Sequence, residues 1–106
     1  MAPAELEALL LRHADVADAC VVGIEDRANA TEVPRAYVVL REGRPRDEGA
    51  ARDIAEWLAR QTAPHKKLRG GVRFVDEVPR SPAGKLLRRL LRDRAREEDR
   101  KDGARL

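Results

Sequence analysis

The chain has 106 residues, of which 39% are charged, with 22 basic and 19 acidic side chains and a formal net charge of +3. This length is typical of one domain with a real core, but it is small for a complete enzyme that binds several substrates. The near balance of charges indicates a heavily charged surface and not a polycation, so nucleic-acid binding is not implied. The aromatic residues are too few, at 3%, to form a series of stacking platforms for single-stranded bases.

Cys20 is the only cysteine, so an internal disulfide and a metal site built on several cysteines are both excluded. We expect it to be a small buried apolar residue in a reducing compartment. No apolar run approaches the roughly 18 residues that a membrane span needs, and the start of the chain shows no signal-peptide pattern. We therefore expect an intracellular protein with no membrane partner and no metal ligands.

Hydrophobic periodicity and end signals predict three helices and three strands. The polar residues 25–32 are expected to form a long connection between the first two strands, which would pair as an antiparallel hairpin. This order predicts an α+β fold, a small three-stranded, mostly antiparallel sheet covered by helices. The expected elements are a helix over 2–12, strands over 16–24 and 36–40, a helix over 47–61, a strand over 72–75 and a helix from Lys85 onward.

The stretch Pro79–Arg89 combines two prolines and a glycine with the start of a leucine-rich helical pattern. Lys85 is expected in the first turn of that helix, where its charge would face the positive end of the helix dipole at a cost of roughly 0.3–1 kcal/mol. A residue that breaks a local rule without structural gain is a candidate for function. Spacing alone nevertheless favours a solvated surface lysine.

Two further segments of the chain are basic or highly charged. The loop that contains Lys66, Lys67 and Arg69 is interpreted as either a solvated turn or an anion-facing loop for phosphates, and spacing alone favours the turn. Beyond Leu91 the apolar pattern stops and nearly every residue is charged. We therefore predict a domain over 1–92 and a frayed helical or disordered tail over 93–106.

Four motifs in this order resemble the C-terminal domain of adenylate-forming enzymes. That superfamily includes acyl- and aryl-CoA ligases, beetle luciferases and nonribosomal peptide adenylation domains, and the resemblance is closest to 4-coumarate–CoA ligase-like enzymes and luciferases. It covers residues 2 to about 92. The segments that carry it are 2–10, 32–36, 66–72 and 74–79 with Gly84-Lys85.

The resemblance implies a two-step reaction in which a carboxylic acid and ATP give an acyl-adenylate and pyrophosphate, and CoA then displaces AMP. It implies that Lys85 enters the active site for the first step, supported by Gly84 and by the anchoring of Leu86, Leu87 and Leu90 in the core. Lys66, Lys67 and Arg69 would face phosphates. The partners implied are the N-terminal domain of the same enzyme, the acid, CoA, ATP and Mg²⁺, bound mainly by that N-terminal domain.

The chain also departs from the family pattern. Thr31 stands where a glycine is usual, and Arg80 replaces the commoner lysine. Met1 stands where the family has the end of its interdomain hinge, so we expect one domain of a larger enzyme that is inactive by itself. The acid it would accept cannot be predicted, because the acid pocket would lie in the other domain.

The final residues Ala104, Arg105 and Leu106 fit the small-basic-leucine pattern of a peroxisomal C-terminal address. On a ligase-like domain this pattern favours peroxisomal import and CoA as the acceptor, with a cytoplasmic location otherwise. Two alternatives stay open. One is a luciferase-type or carrier-protein-loading relative. The other is a small basic nucleic-acid-binding module that uses Lys66, Lys67, Arg69, Arg88 and Arg89.

Overall fold

A three-stranded sheet lies at the centre of the domain, with helices on both of its faces. The computed structural model describes residues 3–26, 30–62 and 68–104. The sheet order is β1-β2-β3. The elements are α1 (Pro3–Leu10), β1 (Val16–Asp26), β2 (Thr31–Leu40), α2 (Glu48–Gln61), β3 (Val72–Phe74) and α3 (Arg88–Ala104).

The first two strands form a long antiparallel hairpin, as predicted, but its connection is short. Pairing continues to Glu25 opposite Glu32 and Asp26 opposite Thr31, so the expected loop over 25–32 is wrong at both ends. Polar residues are compatible with a strand at this position, because one face of an antiparallel hairpin can face water. Ala30 has a positive φ of 51°, a backbone conformation that favours glycine, directly before the position where the resembling family carries one.

The third strand pairs with β2 in parallel, with Ala36 opposite Val72 and Val38 opposite Phe74. A parallel partner needs a long crossover, and α2 lies on the connection between these two strands. Asp47 caps that helix by accepting a hydrogen bond from the Ala50 amide at 2.7 Å. The predicted α+β class with three strands is confirmed. The sheet is mixed, and the long β1–β2 ladder makes it mostly antiparallel.

The core has two layers because alternate residues of each strand point to opposite faces of the sheet. On one face, Val21 and Val38 pack with α1 and α2 through Leu10, Ile54 and Leu58. The buried side chains on the other face come from the sheet, from the segment after β3 and from α3, and they are Cys20, Val22, Tyr37, Val75, Val78, Leu91 and Ala95. Cys20 is the buried apolar residue that we expected. Its pKa is raised to about 11, mainly by burial and to a smaller extent by the negative charge of Glu7.

The last helix begins at Arg88 and not at Lys85. Leu86 instead forms an isolated bridge with Arg80, and the Leu87 amide donates to the carbonyl of Pro79 at 2.9 Å. Those hydrogen bonds hold the backbone of the apolar run in a turn, so the predicted helix starts three residues too early. The helix-dipole argument for Lys85 is therefore wrong. Leu90 is also not a core anchor, since it is 53% exposed.

Arg88 connects the start of α3 to α1 through Glu7. Its Nε donates to Oε2 of Glu7 at 3.1 Å, and its Nη2 donates to the other carboxylate oxygen. The same carboxylate accepts a hydrogen bond from the Val21 amide at 2.7 Å. Hydrogen bonding to Glu7 raises the pKa of Arg88. Only 7% of the Glu7 side chain is exposed, so this acid depends on its partners in place of water.

The second half of α3 docks on the sheet, contrary to the expected end of the core at Leu91. Ala95 is fully buried. Arg35 of β2, with 6% of its side chain exposed, contacts Glu98 at 3.5 Å and Asp99 at 3.2 Å. Burial lowers the pKa of Arg35, but hydrogen bonds to Tyr37 and Asp99 outweigh that effect and raise it. Residues 93–100 are thus helical and anchored, while the domain boundary after residue 92 stays a prediction.

Replacing Arg88 by methionine should destabilise the domain by about 1–3 kcal/mol, because Glu7 would remain buried without its charged partner. Arg89→Met is the matched control, since Arg89 is the next residue of the same helix and is exposed. Urea denaturation of the chain measures both. Equal stability of the two variants would contradict the structural role of the Glu7–Arg88 pair.

Ending the chain at residue 92 should cost about 1–3 kcal/mol of folding free energy, because Arg35 would lose its acidic partners and the sheet would lose its contact with Ala95. Since the shortened chain could fail to fold, Glu98→Gln in the full chain provides a second measurement with the same direction. Asp93→Asn is its control, because that aspartate is mostly exposed, at 57% of its side chain, and pairs only with the nearby Arg96. A shortened chain that unfolds at the same denaturant concentration as the full chain would show that the helix end does not support the fold.

Candidate functional site

Lys85 sits in a tight turn that closes on itself by backbone hydrogen bonds. The Ser81 amide donates to the carbonyl of Lys85 at 2.8 Å, and the Gly84 amide donates to the carbonyl of Ser81 at 2.8 Å. The Lys85 amide donates to the Ser81 hydroxyl oxygen at 3.2 Å. These bonds fix the backbone of the lysine while leaving its side chain outside the network.

Gly84 is required by backbone conformation. Its φ is +85°, a region that residues with a Cβ rarely adopt. A Cβ built there would meet no atom of the described residues within 4 Å, so the backbone conformation and not a close neighbour favours glycine at this position. A positive φ at this point turns the chain and leads directly to Lys85.

The Lys85 side chain is exposed. Among the residues that the structure describes, no carboxylate lies within salt-bridge distance of its ammonium group. The amine is neither buried nor held in an internal ion pair there. It can therefore reach an anion that approaches from outside the domain.

A second arginine–carboxylate contact joins this turn to the sheet. Nη2 of Arg80 donates to both carboxylate oxygens of Asp18, at 2.9 and 3.0 Å. Nη1 of the same guanidinium donates to the Gly84 carbonyl at 3.3 Å. Asp18 follows an irregularity in the β1–β2 register, between Val16 and Asp18. Sequence reasoning treated Arg80 only as a mild replacement of lysine, and no local pattern connects it to a residue 62 positions earlier.

The basic loop is only partly described. Lys66 and Lys67 lie outside the described residues, so their predicted phosphate contacts stay predictions. Arg69 is exposed, beside a turn held to β2 by the Gly70 amide, which donates to the Pro34 carbonyl at 2.8 Å. A Cβ on Gly70 would lie 2.8 Å from that same oxygen, so this position has no room for a side chain.

The nucleic-acid alternative needs its cations on one accessible surface. Arg88 is committed to Glu7, while Arg69 and Arg89 are exposed on different elements. One of the five cations is therefore already paired inside the domain, and Lys66 and Lys67 lie outside the described residues, so the nucleic-acid module stays an untested alternative. In the peroxisomal pattern, the backbone of Ala104 ends α3, and Arg105 and Leu106 lie outside the described residues.

The described residues contain no group of three or more histidine, cysteine, aspartate or glutamate side chains placed to hold a metal ion. In the same part of the chain, no helix has the length and apolar composition that crossing a bilayer demands.

The turn, its lysine and the sheet match a known family. The family model described as the AMP-binding enzyme C-terminal domain matches residues 5–85, so its match ends at Lys85. A putative acyl-coenzyme A synthetase of Emericella nidulans is 48% identical over 91% of this chain, and the phenylacetyl-CoA ligase epaB of Aspergillus niger is 44% identical over 92%. A luciferin 4-monooxygenase of Photinus pyralis is 47% identical over 88%.

Solved structures agree with the sequence comparisons. The crystal structure of an acyl-CoA synthetase of Brucella canis superposes on 92% of this chain with a TM-score of 0.83 and 35% identity, over 18% of its own length. The chain likewise spans only 16–17% of the three relatives. It corresponds to a small part of each of these proteins, and it belongs to the family of AMP-binding enzyme C-terminal domains.

Proposed function

We propose that this chain is the mobile C-terminal domain of an ATP-dependent acyl- or aryl-CoA ligase, and that Lys85 supplies the ammonium group for adenylation. The observation that carries the proposal is the exposed Lys85 at the tip of a hydrogen-bonded turn, at the end of the family match. The names of the relatives support ligase chemistry, because they include an acyl-coenzyme A synthetase and a phenylacetyl-CoA ligase.

In the first step, a carboxylate oxygen of the acid attacks the α-phosphorus of ATP, and the bond to the bridging oxygen of pyrophosphate breaks. Negative charge builds on the non-bridging oxygens of that phosphate as the new bond forms. The Lys85 ammonium, on its flexible stem, would lie between the carboxylate and the phosphate and neutralise this charge. A fixed donor of this kind acts most strongly where water is excluded, which the closing of one domain on another would provide.

In the second step, the thiol of CoA loses its proton to solvent or a base and attacks the acyl carbon, and AMP leaves as the bond from that carbon to the adenylate oxygen breaks. The reacting centre in this step is the acyl carbon and no longer the α-phosphorus. Lys85 can therefore withdraw when the domain rotates, as the family resemblance implies. Mg²⁺ and the acid pocket would belong to the larger domain, as the family resemblance implies.

The test replaces the matching 98-residue segment of epaB with this chain and assays the chimera with phenylacetate. Lys85→Ala should reduce phenylacetate-dependent pyrophosphate–ATP exchange by about 10²–10³-fold, the usual effect of removing one such donor. Conversion of supplied phenylacetyl-adenylate to phenylacetyl-CoA should be unchanged. Arg89→Ala, an exposed cation four residues later, should leave both half-reactions as they are.

Exchange that survives Lys85→Ala would remove the catalytic role from this lysine. The chain alone should catalyse neither half-reaction, and this control shows that the activity measured belongs to the chimera.

The superfamily that the sequence resembles also includes carrier-protein-loading adenylation domains, which use a second class of acceptor. A CoA ligase should form its thioester on free CoA, whereas a carrier-loading enzyme should do so only on a pantetheinylated carrier protein. Mass spectrometry of the products of the enzyme that naturally contains this chain would separate them, because the two thioesters differ in mass by the carrier.

A further inference from the structure

Arg80 contacts both the lysine turn, residues 81–85, and the sheet through its one guanidinium group. Its guanidinium lies between the Gly84 carbonyl and the Asp18 carboxylate. We propose that Arg80, held by Asp18, is a positioning residue for Lys85. This inference rests on the proposed function of Lys85 and adds the device that holds it in place.

The Asp18 carboxylate is held in an orientation that suits its hydrogen bonds to Arg80. Oδ1 also accepts a hydrogen bond from the Ala19 amide at 2.9 Å, which fixes the rotation of the carboxylate. Only 28% of its side chain is exposed, so water competes weakly for its oxygens. Asp18 belongs to β1, and the long antiparallel ladder that β1 forms with β2 provides a rigid reference point.

The other end of the contact acts on the lysine backbone. Gly84 immediately precedes Lys85, and its carbonyl belongs to the peptide group that carries the Lys85 amide. Holding that carbonyl at 3.3 Å from Nη1 restrains rotation of this peptide plane. Gly84 has a positive φ and no side chain, so it restrains the plane little by itself. The direction in which the lysine stem leaves the turn depends on this plane.

The geometry of arginine matters for this role. Two nitrogens of one planar group reach two different acceptors, whereas the single ammonium of a lysine is a point charge on a flexible stem. Arg80→Lys should therefore preserve the charge near Asp18 but lose the simultaneous contact to Gly84. A displacement of about 1 Å of a catalytic group can reduce the rate about 10²-fold.

The experiment uses the chimera with epaB and follows both half-reactions. Arg80→Ala should lower kcat for pyrophosphate exchange about 10–100-fold with KM for phenylacetate unchanged, because the loss arises in the transition state. Asp18→Asn and Arg80→Lys should give smaller losses in the same step. Thioester formation from supplied phenylacetyl-adenylate should stay at the parent rate, which shows that the domain is folded and docks. Arg44→Ala is the matched control, because it removes another exposed ion pair, 3.1 Å from Asp15 and outside the lysine turn.

The decisive measurement is the double variant. If Arg80 acts through Lys85, Arg80→Ala should cause no further loss of exchange in a chimera that already carries Lys85→Ala. Independent losses that multiply, an equal loss of the thioester step, or full exchange activity in Arg80→Ala would each overturn the inference while leaving the role of Lys85 intact. Full exchange activity in Lys85→Ala alone would instead overturn the proposed function.

Discussion

Two arginine–carboxylate pairs hold the segment that carries Lys85 against the rest of the domain. Arg80 contacts Asp18 before the turn, and Arg88 contacts Glu7 after it. Both acids come from the N-terminal quarter of the chain, and both are mostly buried. A partly desolvated carboxylate holds a guanidinium more firmly than a surface pair does, because water competes less for its oxygens. These contacts hold the backbone on either side of Lys85, whose side chain is exposed.

These pairs also determine which positive charges are available to an incoming anion. The guanidinium groups of Arg80 and Arg88 are already hydrogen-bonded within the domain, so their charge is largely compensated by carboxylates. Lys85 is exposed, with no recorded ion pair in the described part of the chain. A phosphate that approaches this turn would therefore meet the ammonium group as the strongest uncompensated donor of the turn. The same two arginine–carboxylate pairs therefore hold the turn in place and leave Lys85 as its available positive charge.

The local sequence pattern was sufficient to predict most helices and strands, but not the turn that holds Lys85. The apolar stripe of α2, with Ile54 and Leu58, and the strands around Cys20 could be read directly, because their periodicity reflects burial. The start of α3 could not, since Leu86 and Leu87 have a helical pattern in the sequence, whereas the amides of Ser81 and Leu87 donate the hydrogen bonds that hold this run in a turn. The docking of the segment after Leu91, which was expected to be a frayed helical or disordered tail, was missed for another reason. Its charged composition predicts a solvated segment, whereas Glu98 and Asp99 pair with a buried arginine more than 60 positions away.

The family motif identified Lys85, but it could not show how the lysine is held, because the contacts that hold it join residues distant in sequence. This separation has a physical consequence. Lys85 contributes little to the core, since its side chain makes no recorded contact that stabilises the fold, whereas Asp18, Glu7, Arg80 and Arg88 stabilise the fold and also orient the turn. A change at the lysine should thus affect chemistry with the fold intact, and a change at its anchors should affect both in proportion to how far the turn moves. In the proposed function, the domain could therefore present the Lys85 amine to a partner domain without loss of stability, because its own folding does not depend on that group.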